Sequence, residues 1–308
     1  MSRPGMAGVR EFCVEKSIAG IAFTSFAFII LILIFIFREA LPLFTGAATD
    51  DNGRVALSRL LTLSWQPVSN SPMYGIFPLI FGSLKVTLIA VAIGAPIAIL
   101  AALYTTAFAP RALKEIIKPC IEILAGFPSV VIGFFALMVL ASMVQKAFGI
   151  DYRLNAFTGG IALALAVIPI IYTITEDSLS ALPSSMREAS LALGATPWET
   201  AAFVLLPAAM PGVFAAVLLG VGRAFGETMI VLMATGNAAL LSADIFQSVR
   251  TMSATIGAEM AEVVFGDAHY SILFFIGVCL FLFSLTLNII AEFVVRNYLM
   301  KRFTGKTQ

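Results

Sequence analysis

Residues 180–207 have the sequence SALPSSMREASLALGATPWETAAFVLLP, in which helix start and stop signals are unusually dense. Ser185 and Glu188 have the spacing of a capping box, so a short helix is predicted to begin there. Gly194 lies where that helix should end in a left-handed conformation. The segment therefore predicts a defined helical surface and not an irregular connection.

A second helix start follows directly in the same segment. Thr196 is predicted to be the N-cap and Pro197 the first helical residue. Glu199 is predicted to be the reciprocal cap, whose side chain accepts a hydrogen bond from the backbone amide of Thr196. Two short helices joined by a glycine turn are therefore expected. A surface specified this firmly between apolar stretches is typical of a docking site.

The chain on both sides of this segment is strongly apolar. Of its 308 residues, 60% are hydrophobic and only 12% are charged, which lies outside the range of soluble domains. The formal net charge of +1 is not gathered in a basic patch, so no nucleic-acid partner is expected. The composition predicts an all-α polytopic membrane protein in contact with lipid.

Six stretches are long enough to cross a hydrocarbon core of about 30 Å. They are predicted at residues 17–37, 76–109, 123–145, 154–175, 203–241 and 268–291. The whole chain, residues 1–308, is expected to be a single transmembrane domain. Residues 38–75 and 236–267 form its external loops, the second with a short helix around residues 252–264, and residues 180–207 form a cytoplasmic loop.

The orientation follows from the basic residues, because loops rich in Lys and Arg stay in the cytoplasm. If the N-terminus is inside, eleven basic residues lie on the inner side: Arg3, Arg10, Lys16, Arg111, Lys114, Lys118, Arg187, Arg296, Lys301, Arg302 and Lys306. Six lie on the outer side: Arg38, Arg54, Arg59, Lys146, Arg153 and Arg250. Both termini are therefore expected to be cytoplasmic.

Residues 222–228, GRAFGET, place two charges inside an apolar span. An ionised side chain at membrane depth costs about 2.5 kcal/mol or more, so Arg223 and Glu227 are candidates for a functional site. Four residues apart in a helix, they are predicted to share one face. Gly222 and Gly226 form a small-xxx-small pair that would let a second helix approach beside them.

Lys85 is a third charge within a predicted span. One interpretation is a long side chain that reaches back to the outer headgroups. The other is a cation that attracts an anionic substrate at the outer mouth.

The candidate nucleotide-binding and metal-binding motifs of the sequence are incomplete. Residues 305–307, GKT, lack the required glycine five positions earlier, where Met300 stands, and no helix can follow them. The glycines at positions 220, 222 and 226 have the wrong spacing for a dinucleotide fingerprint, and no strand precedes them. One histidine and three cysteines without ligand spacing predict no metal site. The chain is expected to hold no cofactor, and energy must come from another subunit.

The segment from residue 188 onward resembles the EAA motif of ABC importer permeases, with a serine in place of the second alanine. The matching residues are Glu188, Ala189, Ser190, Gly194, Leu206 and Pro207. The resemblance implies a type I ABC importer permease fold, in which this loop docks into a groove of a separate ATPase subunit that binds ATP.

Other stretches resemble the C-type permeases of bacterial phosphate-specific (Pst) importers. They are residues 121–134, IEILAGFPSVVIGF, residues 222–229, residues 255–262, TIGAEMAE, and Trp65 and Pro67 ahead of Tyr74. This resemblance implies a subunit of the bacterial cytoplasmic membrane, paired with a second permease, two ATPase subunits and an external phosphate-binding protein. The GSLK stretch at residues 82–85 departs from the family pattern.

Under this resemblance Arg223 would bind phosphate, since guanidinium presents a planar fork that suits its oxygens. Glu227 would either neutralise Arg223 or accept a hydrogen bond from the phosphate hydroxyl, which sulfate lacks. The substrate path is predicted to include Gly222, Gly226, Thr228 and Lys85 as well. A purely structural ion pair between Arg223 and Glu227 remains an alternative.

Three other functions compete with phosphate import. A permease for another oxyanion, such as molybdate or sulfate, would share the same site chemistry. A proton-coupled secondary transporter could use Arg223 and Glu227 as a relay. A membrane-embedded enzyme is disfavoured because no nucleophile–base or metal constellation exists in the sequence, so the chain is expected to be a non-catalytic subunit.

Overall fold

The computed structural model describes residues 6–46, 48–50, 53–54 and 57–294. Six helical segments of this part are long and apolar enough to cross a membrane: Glu11–Thr45, Phe77–Ala107, Ser129–Phe148, Ala156–Ser180, Pro197–Gly226 and Ala268–Ile290. The six predicted spans are therefore confirmed. The basic residues Arg3, Arg296, Lys301, Arg302 and Lys306, and the GKT at residues 305–307, lie outside the described residues.

Most helices follow one another with short connections, and the long ones lie between α1 and α2 and between α10 and α11. In chain order they are α1 (Met6–Thr45), α2 (Phe77–Ala107), α3 (Arg111–Gly126), α4 (Ser129–Phe135), α5 (Ala141–Phe148), α6 (Ala156–Ser180), α7 (Ser184–Ala192), α8 (Pro197–Glu199), α9 (Leu206–Gly226), α10 (Met229–Ala234), α11 (Met252–Glu259) and α12 (Ala268–Val294). Two π-helical turns, Ala136–Leu140 and Thr200–Leu205, join α4 to α5 and α8 to α9.

Two span boundaries differ from the prediction, and each has a local cause. The third span begins at Ser129, not at residue 123, because Phe127 is extended and Pro128 starts a new helix after α3. The fifth span ends at Gly226, well before residue 241, and α10 adds only a short helix beyond it. Both membrane helices are thus interrupted.

The core is formed by α2, α6 and α9, which pack closely because small residues lie at their contacts. A Cβ atom at Gly94 of α2 would stand 3.4 Å from the carbonyl oxygen of Ala164 in α6. At Gly220 of α9 it would stand 2.7 Å from the Cδ1 atom of Ile171. The first helix, α1, packs against α12 at one side of this core.

The connection between α1 and α2 contains two small hairpins, and α11 lies between α10 and α12. Strands β1 (Thr49–Asp50) and β2 (Gly53–Arg54) pair with each other, as do β3 (Trp65–Gln66) and β4 (Met73–Tyr74). Trp65 lies opposite Tyr74 in the second hairpin, and both side chains are buried. The short helix predicted around residues 252–264 is confirmed as α11, which ends at Glu259.

Candidate functional site

The charged stretch at residues 222–228 does not form one continuous helix. Helix α9 ends at Gly226, Glu227 is extended with φ −68° and ψ 133°, and α10 begins at Met229. The prediction that Arg223 and Glu227 share one helical face is therefore wrong. The cause is tertiary: α11 packs against this break, as its contacts with Glu227 and Thr228 show.

Arg223 lies in the last turn of α9 with an exposed side chain. Within the described part of the chain, neither a hydrogen bond nor an ion pair of this guanidinium is found. A cation at the C-terminal end of a helix interacts favourably with the helix dipole. Arg223 is thus an available cation at the end of a membrane helix.

Glu227 is half-buried and points its carboxylate back to its own backbone. Its Oε1 atom accepts a hydrogen bond from the amide of Thr228 at 3.1 Å. The carbonyl oxygen of Glu227 accepts a hydrogen bond from the hydroxyl of Ser253 in α11 at 2.6 Å. The hydroxyl of Thr228 donates to the carbonyl of Gly226 at 3.4 Å. The break is therefore held by defined contacts.

Gly222 and Gly226 leave the flank of α9 open. A Cβ atom built at either position would meet no atom within 4 Å in the described structure. None of the described helices occupies the space that the small-xxx-small pair provides, so the approach of another helix remains a prediction.

Lys85 of α2 contacts the segment that precedes α11. Its buried ammonium donates hydrogen bonds to the carbonyls of Ser242 and Asp244, the latter at 3.0 Å, and lies 5.2 Å from the centre of the Phe81 ring. Lys85 therefore fastens the segment 236–251 to α2, while a contact with headgroups or with an anionic substrate stays a prediction.

The segment 180–207 forms the two short helices that its sequence predicts. Gly194 has φ +89°, and the capping box between Thr196 and Glu199 is present, so both predictions are confirmed. The box predicted at Ser185 and Glu188 is wrong, because α7 begins earlier, at Ser184 after Pro183, without a side-chain cap.

Ser190 has a role that sequence reasoning missed. It is buried, and its hydroxyl lies 2.9 Å from that of Thr200, so the two short helices are joined by a hydrogen bond. Glu188, Ala189 and Gly194 are exposed nearby. Ser190, which stands where the family pattern has an alanine, is thus buried within the segment, and an alanine at this position could not form the hydrogen bond.

The segment 180–207 also carries an apolar hollow on its surface. A shallow hollow of about 370 Å³ is lined by Met186, Ala189, Ser190, Leu193, Ala195 and Val204. Leu193 beside it is 90% exposed. Leu206 and Pro207 begin α9 directly after this segment, so a displacement here would reach the helix that carries Arg223.

The segment 180–207 is also attached to the C-terminal end of α2. Arg187 donates a hydrogen bond to the carbonyl of Ala107 at 3.0 Å. Trp198 stacks on Phe108, with ring centres 6.2 Å apart, and Phe108 stacks on Tyr104. The end of α2 opposite Lys85 is thus fixed to the segment 180–207.

A mostly buried ion cluster around Glu259 was not predicted. Glu259 of α11 accepts hydrogen bonds from Arg250 at 2.6 Å and from Trp65 at 3.1 Å through Oε1, and its Oε2 lies 2.9 Å from His269. Burial raises the pKa of Glu259, but the bonds to His269 and Trp65 and the charge of Arg250 outweigh it, so the pKa lies below its ordinary value. The cluster ties α11 to β3 and α12.

This architecture is that of a type I ABC importer permease. The inward-facing MetNI methionine ABC transporter shares it, with a TM-score of 0.53 over 72% of this chain and 93% of that chain at 19% identity. A bacterial ABC transporter involved in the import of the acidic polysaccharide alginate gives a TM-score of 0.58 over 94% and 99% of the two chains at 15% identity. At these identities the likeness concerns the fold.

Sequence similarity defines the family. Residues 94–299 match the family "Binding-protein-dependent transport system inner membrane component". The probable ABC transporter permease protein YqgH of Bacillus subtilis is 39% identical over 235 residues, 76% of this chain and 75% of that protein. The phosphate transport system permease protein PstC of Mesorhizobium japonicum is 32% identical over 320 residues, 98% of this chain and 94% of that protein.

The chain therefore belongs to the binding-protein-dependent inner-membrane permeases of ABC importers, and within them it is PstC-like. It is a multi-pass protein of the bacterial inner membrane. Membership in this family implies an ATPase partner and a substrate-binding partner.

Proposed function

We propose that this chain is the permease subunit of an ATP-driven importer that moves inorganic phosphate across the cytoplasmic membrane. The observation that carries the proposal is Arg223, an exposed cation without a protein partner among the described residues, at the interrupted end of a membrane helix. The resemblance to PstC over nearly the whole chain supports phosphate as the substrate.

The proposed chemistry uses both charged residues of the interrupted helix. The Arg223 guanidinium binds two phosphate oxygens, and the Glu227 carboxylate accepts a hydrogen bond from a phosphate hydroxyl. Sulfate has no such hydroxyl at neutral pH and would leave that acceptor unpaired, which would penalise its binding. The lack of an ion pair between Arg223 and Glu227 in the described structure supports substrate binding over the structural ion-pair alternative.

Neighbouring residues complete the proposed path. Gly222 and Gly226 leave room beside Arg223 for the second permease or for the anion, and the Thr228 hydroxyl lies at the break. Lys85 acts on the path indirectly, because its ammonium is occupied by two carbonyls of the external segment.

The coupling to ATP is assigned to the cytoplasmic segment. Exposed Glu188, Ala189 and Gly194, with the apolar hollow beside Leu193, form the surface that contacts the ATPase subunit. Buried Ser190 joins the two short helices, so that they move as one body. Leu206 and Pro207 pass this movement to α9.

The proposed assembly contains a second, homologous permease subunit, two ATPase subunits and an external phosphate-binding protein. ATP is bound and hydrolysed by the ATPase subunits, so this chain is non-catalytic and carries no cofactor. Residues 1–308 act as a single membrane domain with both termini in the cytoplasm. Residues 38–75 and 236–267 then face outward, and residues 180–207 face the ATPase.

Arg223→Ala tests the site. In vesicles that contain the assembled importer, ATP and the external binding protein, the variant is expected to abolish phosphate uptake while the subunits still assemble. Arg111→Ala is a matched control, because Arg111 is an exposed arginine whose ion pair with Glu115 spans 3.5 Å on the surface of α3. Unchanged phosphate uptake by Arg223→Ala would refute the proposal.

The same vesicles separate the competing functions. Sulfate or molybdate uptake that exceeds phosphate uptake would identify another oxyanion as the substrate. Uptake without ATP, by this chain alone, would identify a proton-coupled carrier.

A further inference from the structure

Helix α11 contacts the break between α9 and α10 through two residues one turn apart. The Ser253 hydroxyl donates to the Glu227 carbonyl at 2.6 Å. A Cβ atom at Gly257 would stand 2.6 Å from the Cγ2 atom of Thr228, so only glycine leaves the space that this methyl group fills. The two residues of α11 thus fit the two residues of the break.

Without the contacts of α11, a continuous helix across this break would be the favoured backbone conformation. Residues 222–234 are apolar apart from Arg223, Glu227 and Thr228, and α10 continues directly after the two non-helical residues. In a membrane an unpaired backbone group is costly, so a continuous helix is the favoured alternative. In that helix the Glu227 carbonyl would accept the amide of Val231, but in the structure it accepts the Ser253 hydroxyl.

Closing the break would also change the charges. In a continuous helix Arg223 and Glu227 would stand four residues apart on one face and would pair with each other. The guanidinium would then be occupied by the protein. The two alternatives for this pair, an anion site and an inert ion pair, correspond to the open and the closed break.

Helix α11 is itself held firmly enough to impose the open form. The amide of Met252 donates to the Ser83 hydroxyl of α2 at 2.9 Å, and Glu259 at its other end is bound by Arg250. Ser253 is only 5% exposed, and its hydroxyl lies 3.3 Å from that of Thr251, from which it can accept while it donates to Glu227. The donor is therefore oriented toward the break.

We infer that Ser253 and Gly257 are positioning residues that hold the helix open between Gly226 and Met229 and so keep Arg223 unpaired for an anion. The inference rests on the proposed function for the identity of that anion, but the state of the break is independent of it. Neither residue touches the substrate; both act through Glu227 and Thr228.

Ser253→Ala tests the inference with a measurement that does not involve phosphate. In nanodiscs, hydrogen exchange of the amides at residues 229–231 is expected to slow, because these amides gain helical partners when the break closes. A variant that merely loosened the packing would exchange faster. Faster or unchanged exchange would overturn the inference.

The second measurement is phosphate uptake by the assembled importer. Ser253→Ala is expected to raise the phosphate concentration for half-maximal uptake about fivefold or more. The variant loses the hydrogen bond to the Glu227 carbonyl, which is of ordinary strength and stabilises the open break, the form that binds phosphate. Ser253→Thr retains the donor and should restore the value. Ser248→Ala is the matched control, because its hydroxyl donates to the carbonyl of Leu154 at 2.8 Å, away from the break.

Gly257→Ala supplies an independent variant. Its added methyl group should displace Thr228 and impair uptake, and a second change, Thr228→Ser, should restore uptake because it removes the clashing methyl group while it keeps the hydroxyl. Failure of this rescue would contradict the role of Gly257. If Arg223→Ala abolishes uptake while Ser253→Ala leaves exchange and uptake unchanged, the inference fails and the proposed function stands.

Discussion

At the scale of single residues, Glu259 connects a hairpin that is distant in the sequence to two residues on either side of α11. Its partners are Trp65 in the hairpin, Arg250 in the preceding segment and His269 in α12. Breaking a mostly buried ion pair on one side leaves its partner unpaired, which costs more than an exposed pair is worth. Glu259 is therefore expected to matter for the stability of the elements that it joins.

Glu259→Gln is expected to lower the free energy of unfolding by about 2 kcal/mol at pH 7, since a carboxylate that accepts charged hydrogen bonds is lost. The folded pKa of Glu259 lies below its ordinary value, so its contribution is present above the unfolded pKa and is lost as the pH falls through the folded pKa. The melting temperatures of variant and parent should thus converge in acid. Glu262→Gln, which removes an exposed carboxylate nearby, is the control. A constant difference at all pH values would contradict this account.

Local chemistry made some residues predictable. The capping box at Thr196 and Glu199 and the left-handed Gly194 depend on neighbours within three or four positions, and both were correctly predicted. Glu259 was missed because Trp65 lies 194 positions away from it in the chain. The Ser190–Thr200 bond was missed for a similar reason, since it requires the turn between them to be in place.

At the scale of elements, the glycine turn between α7 and α8 determines the shape of the surface assigned to the ATPase. Gly194 has φ +89°, a conformation that disfavours any side chain. A Cβ atom there would meet nothing within 4 Å, so a substitution strains the backbone without a clash. The expected effect is a change in the angle between the two helices.

Gly194→Ala is therefore expected to cost about 1 kcal/mol of stability and to weaken binding of the ATPase subunit. Gly149→Ala is a closely matched control, because Gly149 has φ +62°, has open space around it and lies at the C-terminal end of α5. Both variants should lose similar stability, measured by thermal unfolding. Only Gly194→Ala should lower the amount of ATPase that copurifies, and equal copurification would contradict the assignment.

The two interrupted helices show where element prediction reaches its limit. The start of α4 carries a local signal, because Pro128 biases Phe127 toward an extended conformation, and this signal was overlooked. The break at Glu227 has no comparable signal, since Gly226 alone is tolerated in a helix. It depends on Ser253 and Gly257, which no helix-periodicity argument brings to this point.

At the scale of the whole molecule, α2 links the segment 180–207 to the segment 236–251 and to α11. Lys85 attaches α2 to the segment 236–251 and Ser83 attaches it to α11, while Ala107 and Phe108 at its end hold the segment 180–207. It also packs along α6 in the core. A movement of the segment 180–207 is thus connected to the segment 236–251 by a rigid helix as well as to Arg223 through α9.

The open flank of α9 is where a second permease subunit is expected to pack. Gly222→Leu adds a side chain into space that the described residues leave empty, so the chain itself should fold and melt like the parent. If a partner helix approaches there, the added side chain should prevent the close contact that small residues allow, and both recovery of the second subunit and phosphate uptake should fall several-fold.

Gly20→Leu is the control for that experiment, because Gly20 in α1 also has no atom within 4 Å of a built Cβ and lies far from α9 in the sequence. It should leave assembly unchanged. Full assembly of Gly222→Leu together with lost uptake would indicate that this space belongs to the anion path and not to the partner, because the side chain would then obstruct Arg223 directly. Full assembly with normal uptake would show that the flank of α9 neither contacts the second permease nor lines the anion path. Gly222 and Gly226 would then have no part in the function of Arg223.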